Sequence, residues 1–578
     1  MSVPADITDP VFPLSDELVN AFAVRWPAYA TMAGVPADHG AWNDWSPAGV
    51  DAWAGVLASF QARLRALPEP AGAWARLARR VMGAFLHERL DDHAHGEHLV
   101  ELNNIDSASQ HIRMVFDVMD TTTAAGWAAV AARLGTLDQA CESYRAALEE
   151  GRRTGRVVAR RQVLAVIEQA RLHAGDGSFF HTLPAACERS GAEVPAAIRE
   201  GVASGVGVAR GAFAALADYL ERTYLPAASA VDAVGRERYL RLARRFLGTT
   251  IDPVETYAWG WSEVHAIEAQ MARVAAEIRH GATLPEVIEI LKTEPARSAA
   301  SAAEFLRYME ERQRRALAEL DGTHFDIPAP IRRLEVKQAP PGGAIGAYYI
   351  PPSEGFARPG TIWYSPGAAT RFPLWDEIST AYHEGFPGHH LQCGLQVYLE
   401  DRLSRLHRFL VCYSGHAEGW ALYVEQLMHE LGYFERPDYV LGMLAGKLAR
   451  AYRVVLDIGM HLELPIPRDA PLHAGGAWRH EIAVEYMHQR AFLDLDHARS
   501  EATRYLGWPG QAICYKVGER VILDLRDTLR RRQGAAFDLK AFHASVIGSG
   551  SIGLDHLREI VLSDPGSTIP GSTSDRCD

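Results

Sequence analysis

Three histidines and one glutamate lie close together in the segment Ala381–Gln392, which reads Ala-Tyr-His-Glu-Gly-Phe-Pro-Gly-His-His-Leu-Gln. It begins like the His-Glu-x-x-His zinc motif, in which two histidines four residues apart on one helix bind the metal and the glutamate activates water. His383 and Glu384 supply the first half of that motif, but Pro387 stands where the second histidine belongs. The residues therefore indicate metal-dependent hydrolysis with an altered second ligand.

The spacing decides which histidine can share an ion with His383. In the motif the two histidines lie about 6 Å apart on one helix face. On an unbroken helix, His389 would be about 9 Å and His390 about 10.5 Å further along the axis. Pro387 breaks a helix because it lacks an N–H and clashes with the preceding turn. We interpret residues 385–388 as a bulge that removes two residues from the helical count, which makes His389 the second ligand. His390 would need a bulge of three residues and is the alternative.

A catalytic zinc needs a third protein ligand and an open position for water. The best candidate is Glu418, at the edge of an apolar stripe in the predicted helix Ser414–Glu425. Glu425, two turns on, is the alternative, or it orients a ligand histidine from behind. Two histidines and one glutamate with an open position favour Zn²⁺ over other divalent ions.

The sequence His383–Gln392 resembles the signature of a bacterial family catalogued as domain of unknown function number 885, and the similarity runs from about Tyr349 to Arg526. That family resembles the helical zincin metallopeptidases, which include the oligopeptidases, the angiotensin-converting-enzyme-like dipeptidyl carboxypeptidases and the thermostable carboxypeptidases. Gly388-His389-x-Leu391 lines up with the end of the oligopeptidase motif, which supports His389. The resemblance implies a mostly α, zincin-like metallopeptidase fold with one small β-sheet beside the active-site helix.

The segment Glu501–Gly518 resembles a second signature of the same family. A phenol such as that of Tyr515 is a suitable donor to the oxyanion that forms during amide hydrolysis. Arg504 or Lys516 could pair with the terminal carboxylate of a peptide. Without the resemblance, the segment reads as two helices joined by a turn, with a solvated charged face.

Tyr505 and Gln511 belong to the same segment and are predicted to contact substrate. A further pair, Asp457 and His461, lies four residues apart, so both can share one helix face. A buried histidine held by an aspartate could stabilise the oxyanion or bind substrate. A purely structural ion pair explains the same spacing equally well.

These residues predict a zinc-dependent hydrolase that cleaves peptide bonds in short peptides, in the manner of a carboxypeptidase or dipeptidyl carboxypeptidase. Glu384 would take a proton from water and pass it to the leaving amine. A metal-dependent amidase on a non-peptide substrate, or a non-catalytic binding protein with the same fold, are the alternatives. A di-iron protein would need two Glu-x-x-His motifs, and the sequence offers one convincing motif, Glu485–His488.

The composition of the chain indicates which partners it can bind and in which cellular compartment we expect it. The chain of 578 residues is 48% hydrophobic and 23% charged, which is typical of globular proteins. A net charge of −13 argues against nucleic acid as a partner. No apolar run reaches the length of a membrane span. The first ten residues have neither a basic nor an apolar signal region, and the six cysteines show no paired spacing, so we expect a cytoplasmic protein with free thiols.

The chain divides by composition into three parts. Residues 1–322 predict a helical scaffold and channel wall, residues 323–563 a catalytic region, and residues 564–578 a disordered tail. The turn-rich start of the second part is followed by three predicted strands, Ile331–Gln338, Ala344–Ile350 and Gly360–Ser365. Predicted scaffold helices are Pro47–Leu67, Thr121–Arg153, Val158–His173, Pro195–Leu225, Gly235–Leu247, Pro253–His280, Leu284–Thr293 and Ser298–Leu320.

Overall fold

The computed structural model describes residues 5–339, 346–365 and 371–563. Helix makes up 69% and strand 5% of the structure, which confirms the mostly α prediction. The predicted tail 564–578 lies outside the described residues, as do residues 344 and 345 of the second predicted strand.

Helices fill the chain up to residue 320. They are α1 Val11–Arg25, α2 Pro27–Ala33, α3 Pro47–Ala66, α4 Ala73–His95, α5 Ala108–Met114, α6 Ala124–Gly135, α7 Leu137–Arg153, α8 Arg160–Ala174, α9 Thr182–Arg189, α10 Ala196–Tyr219, α11 Arg236–Leu247, α12 Pro253–Ile278, α13 Leu284–Thr293 and α14 Ala302–Leu320.

Local sequence explains where these helices begin and end. The Ser46 hydroxyl accepts a hydrogen bond from the Gly49 N–H and caps α3, whose first residue is Pro47. The predicted single helix Thr121–Arg153 is wrong, because it is divided at Thr136, which has φ −125°. The Thr136 hydroxyl donates to the carbonyl of the preceding turn, an arrangement that competes with helix continuation.

The described strands form two small sheets. Their bounds are β1 Ser298–Ala299, β2 Leu334–Gln338, β3 Gly346–Ile350, β4 Gly360–Ser365 and β5 Phe372–Pro373. β1 pairs with β5, and the other sheet has the order β2–β4–β3, with β4 parallel to β2 and antiparallel to β3. The three predicted strands therefore form one sheet just before the His-Glu helix.

The remaining helices surround the histidine segment. They are α15 Glu377–Glu384, α16 His389–Tyr398, α17 Arg405–Leu410, α18 Ser414–Glu430, α19 Pro437–His461, α20 His480–Glu485, α21 Leu495–Gly507, α22 Cys514–Gln533, α23 Leu539–Ile547 and α24 Leu554–Leu562. Within the described residues, no helix has both the length and the apolar character needed to span a membrane.

One continuous apolar core runs from Val11 to Val561. The long helix α12 from the first half packs along α19 from the second half, so the two predicted regions share that core. Helix α18 packs in turn along α22. This second pairing is important for the site, because α18 carries Glu418 and α22 carries Tyr515.

Glycines allow α18 and α22 to approach closely. A Cβ built on Gly518 would lie 1.9 Å from the carbonyl oxygen of Gly415, and one built on Gly419 would lie 2.5 Å from the Gly518 backbone. No side chain fits at these points, so the backbones of the two helices are in direct contact. The contact fixes the distance between Glu418 and Tyr515.

We predict that Gly518→Ala separates these helices and lowers the free energy of unfolding by at least about 1–3 kcal/mol, the usual cost of overpacking. Gly207→Ala is the matched control, because a Cβ on this α10 glycine meets nothing within 4 Å. It should stabilise α10 by up to about 1 kcal/mol. Urea unfolding curves measure both changes, and equal stability of the two variants would show that the crossing is not tight.

Candidate metal centre

The helix break predicted at Pro387 is present. Helix α15 ends at Glu384, and α16 begins at His389 after a cis peptide bond between Phe386 and Pro387. A Cβ on Gly388 would lie 2.0 Å from the His383 carbonyl oxygen. Only glycine therefore lets the chain fold back over the end of α15.

Two side chains from other helices hold this break in place. Gln313 of α14 donates from Nε2 to the Ala381 carbonyl at 2.6 Å and accepts the Phe386 N–H at Oε1, also at 2.6 Å. Trp420 of α18 donates from its indole N–H to the Pro387 carbonyl at 3.0 Å. These bonds replace the helical ones that the break removes.

The break brings His383, His389 and Glu418 together. Glu418 Oε2 lies 3.3 Å from His383 Nε2 and 3.4 Å from His389 Nε2. One ligand atom from each of His383, Glu384 and His389 lies within 4.8 Å of the others. The two imidazole rings are nearly perpendicular, with centroids 4.8 Å apart. Glu384 thus lies beside the three predicted ligands.

His390 points away from this cluster. Its Nε2 lies 2.6 Å from the Ile331 carbonyl oxygen, to which it donates, and its Nδ1 lies 3.0 Å from the Tyr349 hydroxyl. Both nitrogens are therefore engaged on the side of the sheet. The two-residue bulge, and not the three-residue alternative, describes the geometry.

Glu425 orients His383 from behind. Its Oε1 accepts a hydrogen bond from His383 Nδ1 at 2.8 Å, and its other oxygen accepts one from Ser379. The Arg450 guanidinium lies 3.4 Å from the same carboxylate. A carboxylate on Nδ1 fixes the ring and leaves Nε2 free to face the cluster, as in metal sites where a carboxylate supports a ligand histidine.

The carboxylates and imidazoles of the cluster shift the pKa values of one another. Burial alone would lower the pKa of His383, but hydrogen bonds with Glu418 and Glu425 outweigh this and raise it to about 9. Burial acts to raise the pKa of Glu418, while His383 and His389 bring it well below its ordinary value. Burial raises the pKa of Glu384. A proton on the imidazoles, or a cation bound between them, would offset the negative charge of these carboxylates.

The donor set and its spacing fit a zinc ion. Two ligand atoms bonded at about 2.0–2.1 Å to a tetrahedral ion lie about 3.4 Å from each other. The two His–Glu418 separations, 3.3 and 3.4 Å, have this length. Direct N–H···O hydrogen bonds are usually shorter, at 2.7–3.2 Å. His383, His389 and Glu418 would hold the ion, and Glu384 would remain free.

The comparisons with known proteins place the chain in a family. Residues 27–561 match the family described as "Bacterial protein of unknown function (DUF885)". The chain belongs to this family. The match covers far more than the segment from residue 349 to residue 526 that carries the sequence resemblance. A comparison with curated proteins found no match.

Two solved structures resemble this DUF885 chain in fold. A "putative lipoprotein" from Colwellia psychrerythraea has a TM-score of 0.83 and 22% identity, over 96% of this chain and 98% of that one. A "putative lipoprotein of unknown function" from Shewanella oneidensis has a TM-score of 0.67 and 17% identity, over 95% and 99% of the two chains. At these identities the likeness concerns the fold alone.

Tyr515 and two arginines of α19 form one wall of the centre in this DUF885 chain. The Tyr515 ring lies parallel to the His383 ring, with centroids 6.2 Å apart. The guanidinium carbons of Arg453 and Arg450 lie 4.6 and 5.7 Å from the Tyr515 ring centroid. Among the described residues the Tyr515 hydroxyl has no hydrogen-bond partner. Sequence reasoning missed both arginines, although their spacing of three residues on a predicted helix was a usable signal.

Arg504 and Lys516, the two predicted partners of a substrate carboxylate, differ in the ion pairs that they form. Arg504 lies 3.2 Å from Glu501, the carboxylate that also pairs with Arg453 at 2.7 Å. Lys516 is buried, with its ammonium between Glu519 at 2.5 Å and Glu263 at 2.9 Å. Two carboxylates already neutralise Lys516, so the prediction that it pairs with a substrate carboxylate is wrong.

Tyr505 and Gln511, the other two predicted substrate contacts, are both buried. Tyr505 is fully buried and donates its hydroxyl to Glu501 at 2.7 Å, so it positions that carboxylate instead of touching substrate. Gln511 is buried in the turn before α22, where its Oε1 has no partner among the described residues. The predicted substrate contact of Tyr505 is corrected accordingly, whereas that of Gln511 stays a prediction.

His461 has a structural role, and its predicted role at the oxyanion is wrong. Its Nε2 donates to the Tyr505 carbonyl at 2.9 Å and its Nδ1 accepts the Val234 N–H at 3.3 Å, so neither nitrogen is free. Burial lowers the pKa of His461 to about 4. Asp457 instead accepts hydrogen bonds from the Tyr239 hydroxyl and the Gly510 N–H.

We predict that Gln313→Ala disturbs the helix break, because it leaves the Phe386 N–H unpaired in a buried position. The free energy of unfolding should fall by about 1–3 kcal/mol, the cost of an unsatisfied buried donor. Chemical denaturation measures the change. The control is Gln139→Ala on α7, whose side chain is exposed, with an expected change within about 0.5 kcal/mol. Equal effects of both substitutions would contradict the assignment of Gln313 as the support of the break.

Proposed function

We propose that this chain is a zinc-dependent hydrolase of the helical zincin type, and that it cleaves peptide bonds in short peptides in the manner of a carboxypeptidase or dipeptidyl carboxypeptidase. One observation supports the proposal most strongly: a single Glu418 oxygen lies 3.3 and 3.4 Å from the two histidines, with Glu384 beside them. The predicted cytoplasmic location stays a prediction, since both structural relatives are described as lipoproteins.

Glu384 would act as the general base. When bound by His383, His389 and Glu418, a zinc ion acts as a Lewis acid that polarises a carbonyl and lowers the pKa of water. Glu384 is near both histidines but is not needed as a ligand. Burial raises the pKa of its carboxyl group, which suits a group that first accepts a proton from water and then donates it to the leaving amine.

Tyr515 would donate a hydrogen bond to the oxyanion. Its ring rests against His383, its hydroxyl lacks another partner among the described residues, and burial followed by the charge of Glu418 raises its pKa. The phenol therefore keeps its proton at neutral pH and serves as a neutral donor. Arg453, 4.6 Å from the ring centroid, holds the aromatic ring in position.

The terminal carboxylate of a peptide would bind near Arg453 and Arg504. These two cations share Glu501, so the group retains one net positive charge. Both side chains are partly exposed, at 15% and 11%. A carboxylate is the natural counter-ion for such a pair, and arginine binds it with two hydrogen bonds. Cleavage would then release one or two residues from the C-terminus.

The Glu384→Gln variant tests the mechanism. The substitution keeps size and polarity but removes the base, so peptide turnover should fall by about 10²–10⁴-fold while zinc content is unchanged. Turnover is measured on a panel of short peptides, and bound zinc by elemental analysis of purified protein. Glu289→Gln, a change at an exposed position of α13, is the control and should behave like wild type. Near-full hydrolysis by Glu384→Gln would contradict the mechanism.

Amidation of the substrate tests the carboxylate site. A charge-assisted hydrogen bond contributes about 1.5–3 kcal/mol, so amidating a peptide's C-terminus should reduce kcat/KM by about 10- to 150-fold. Arg453→Gln and Arg504→Gln should each reduce the ratio of kcat/KM for the free peptide to kcat/KM for the amidated peptide. Arg499→Gln, at an exposed position of the same helix α21, should preserve it. If the wild-type protein cleaves free and amidated peptides equally fast, neither arginine binds the C-terminal carboxylate. The enzyme is then an endo-acting oligopeptidase or an aminopeptidase.

A further inference from the structure

Arg450 presents a guanidinium group beside the candidate metal centre, and this group has no hydrogen bond among the described residues. Its Nη2 lies 3.4 Å from Glu425 Oε1, beyond the usual N–H···O distance of about 2.7–3.2 Å. Its Cζ lies 5.7 Å from the centroid of the Tyr515 ring, and that ring lies 6.2 Å from the His383 ring. The guanidinium is therefore separated by one side chain from the ligand His383 and lies against the proposed oxyanion donor Tyr515.

The accessible part of Arg450 is the part that carries its donors. The side chain is 17% exposed. Its Nε is enclosed without a partner, whereas neither Nη nitrogen is enclosed in this way. His389 and Glu418, two of the residues that would hold the ion, keep similar exposure at 13% and 17%. An arginine has five N–H donors in a planar fork, so Arg450 offers unused donors to a ligand.

The charge around Arg450 distinguishes it from the other two arginines near the centre. Arg453 donates from Nε to Glu501 at 3.0 Å, and Arg504 lies 3.2 Å from the same carboxylate. These two arginines share one carboxylate and retain one net positive charge, which suits the terminal carboxylate of a peptide. Arg450 faces Glu425, whose charge offsets its own. A neutral acceptor, such as an amide carbonyl oxygen, suits Arg450 better than a second carboxylate.

The spacing on α19 indicates which carbonyl Arg450 can reach. Arg450 and Arg453 lie one helical turn apart, about 4.5 Å along the axis. An extended peptide advances about 3.3 Å per residue. A carbonyl at Arg450 and a carboxylate at Arg453 are thus about one residue apart in a bound peptide. Glu425 connects Arg450 to His383, so the carbonyl lies on the side of the cleaved bond. A leaving group of two residues has both acceptors at this spacing.

We propose that Arg450 is a further substrate-binding residue, which donates to the carbonyl oxygen of the last peptide bond while Arg453 and Arg504 hold the terminal carboxylate. The inference rests on the proposed peptide hydrolysis and adds a contact that fixes the leaving part of the peptide. Arginine suits this role because its planar fork directs two parallel donors at one acceptor group.

Peptide binding to zinc-loaded Glu384→Gln protein, measured by calorimetry, tests the contact without hydrolysis. Three N-acetylated tetrapeptides with free C-termini are compared: the parent, an analogue whose last peptide bond is replaced by a trans alkene, and an analogue with the same replacement in the first peptide bond. The alkene keeps shape and charge but removes the carbonyl oxygen and the N–H. We expect the last-bond analogue to bind about 10- to 150-fold more weakly than the parent, the range for a charge-assisted hydrogen bond.

Substitutions at position 450, added to this protein, isolate the carbonyl contact. Arg450→Met removes the donors and should bring the affinities of the parent and the last-bond analogue close together. The loss of the peptide N–H affects both proteins alike, so the difference between the two ratios belongs to Arg450. Arg450→Lys keeps a charge beside Glu425 and should reduce the ratio by a smaller factor. Arg499→Met, at an exposed position of α21, is the control and should leave the ratio unchanged, and the first-bond analogue should respond to none of these substitutions.

A purely structural role of Arg450 predicts a different result. Arg450→Met would then lower the melting temperature or the zinc content, while the ratio of the two affinities would stay the same. A ratio close to one in the Glu384→Gln protein, a ratio that survives both substitutions of Arg450, or no binding of the parent peptide would overturn the inference.

Turnover of the parent peptide by the wild-type protein separates this inference from the proposed function. A ratio that disappears with Arg450→Met, without any hydrolysis by the wild-type protein, would refute the peptidase proposal and support Arg450 as a binding residue. Hydrolysis of the parent peptide together with an unchanged ratio would support the peptidase proposal and overturn the role of Arg450.

Discussion

The candidate metal centre depends on one break in the backbone. An unbroken helix would leave His389 about 9 Å along the axis from His383 and on another face. The chain instead ends α15 at Glu384 and restarts at His389, and Gly388 lies so close to the His383 carbonyl that a Cβ does not fit. The lost helical bonds are replaced by Gln313 and Trp420, so α14 and α18 support the break.

Helix α18 links this break to the rest of the fold. Glu418 and Glu425 lie two turns apart on it, and they contact opposite nitrogens of the same His383 ring. A change in the position of α18 would therefore disturb the cluster and the orientation of the ring together. The glycine contact with α22 sets that position, and it places Tyr515 against His383. The geometry of the centre thus follows from backbone contacts that no larger residue permits.

Much of the fold and of the candidate metal centre could be predicted from the sequence, because these features follow from local rules of helix and strand formation. The strand Gly360–Ser365 and the helix Leu284–Thr293 were predicted to the residue, and the proline and glycines indicated the break and the choice of His389. The remainder depends on tertiary contacts. Gln313 lies about 70 residues upstream and belongs to no motif. Periodicity placed His461 on a helix face but could not show that two backbone groups occupy both of its nitrogens.

The proposed site for a substrate carboxylate shows the same limit of sequence-based prediction. Arg504 and Lys516 looked equivalent in the sequence, since both are basic residues near Tyr515. Only the fold shows that Lys516 is enclosed by Glu263 and Glu519, while Arg453, from another helix, shares Glu501 with Arg504. A sequence shows how many charged residues a segment contains. The charge of a site depends on which of those residues already pair with an opposite charge.

The most direct test of the central claim is anomalous X-ray diffraction at the zinc edge, from crystals of protein supplied with one equivalent of zinc. The account predicts a single strong peak bonded to His383 Nε2, His389 Nε2 and a Glu418 oxygen, with Glu384 close by but not bonded. A peak elsewhere, or one that involves His390 in place of His389, would contradict it. Absence of any peak would also show that this cluster is not a zinc site.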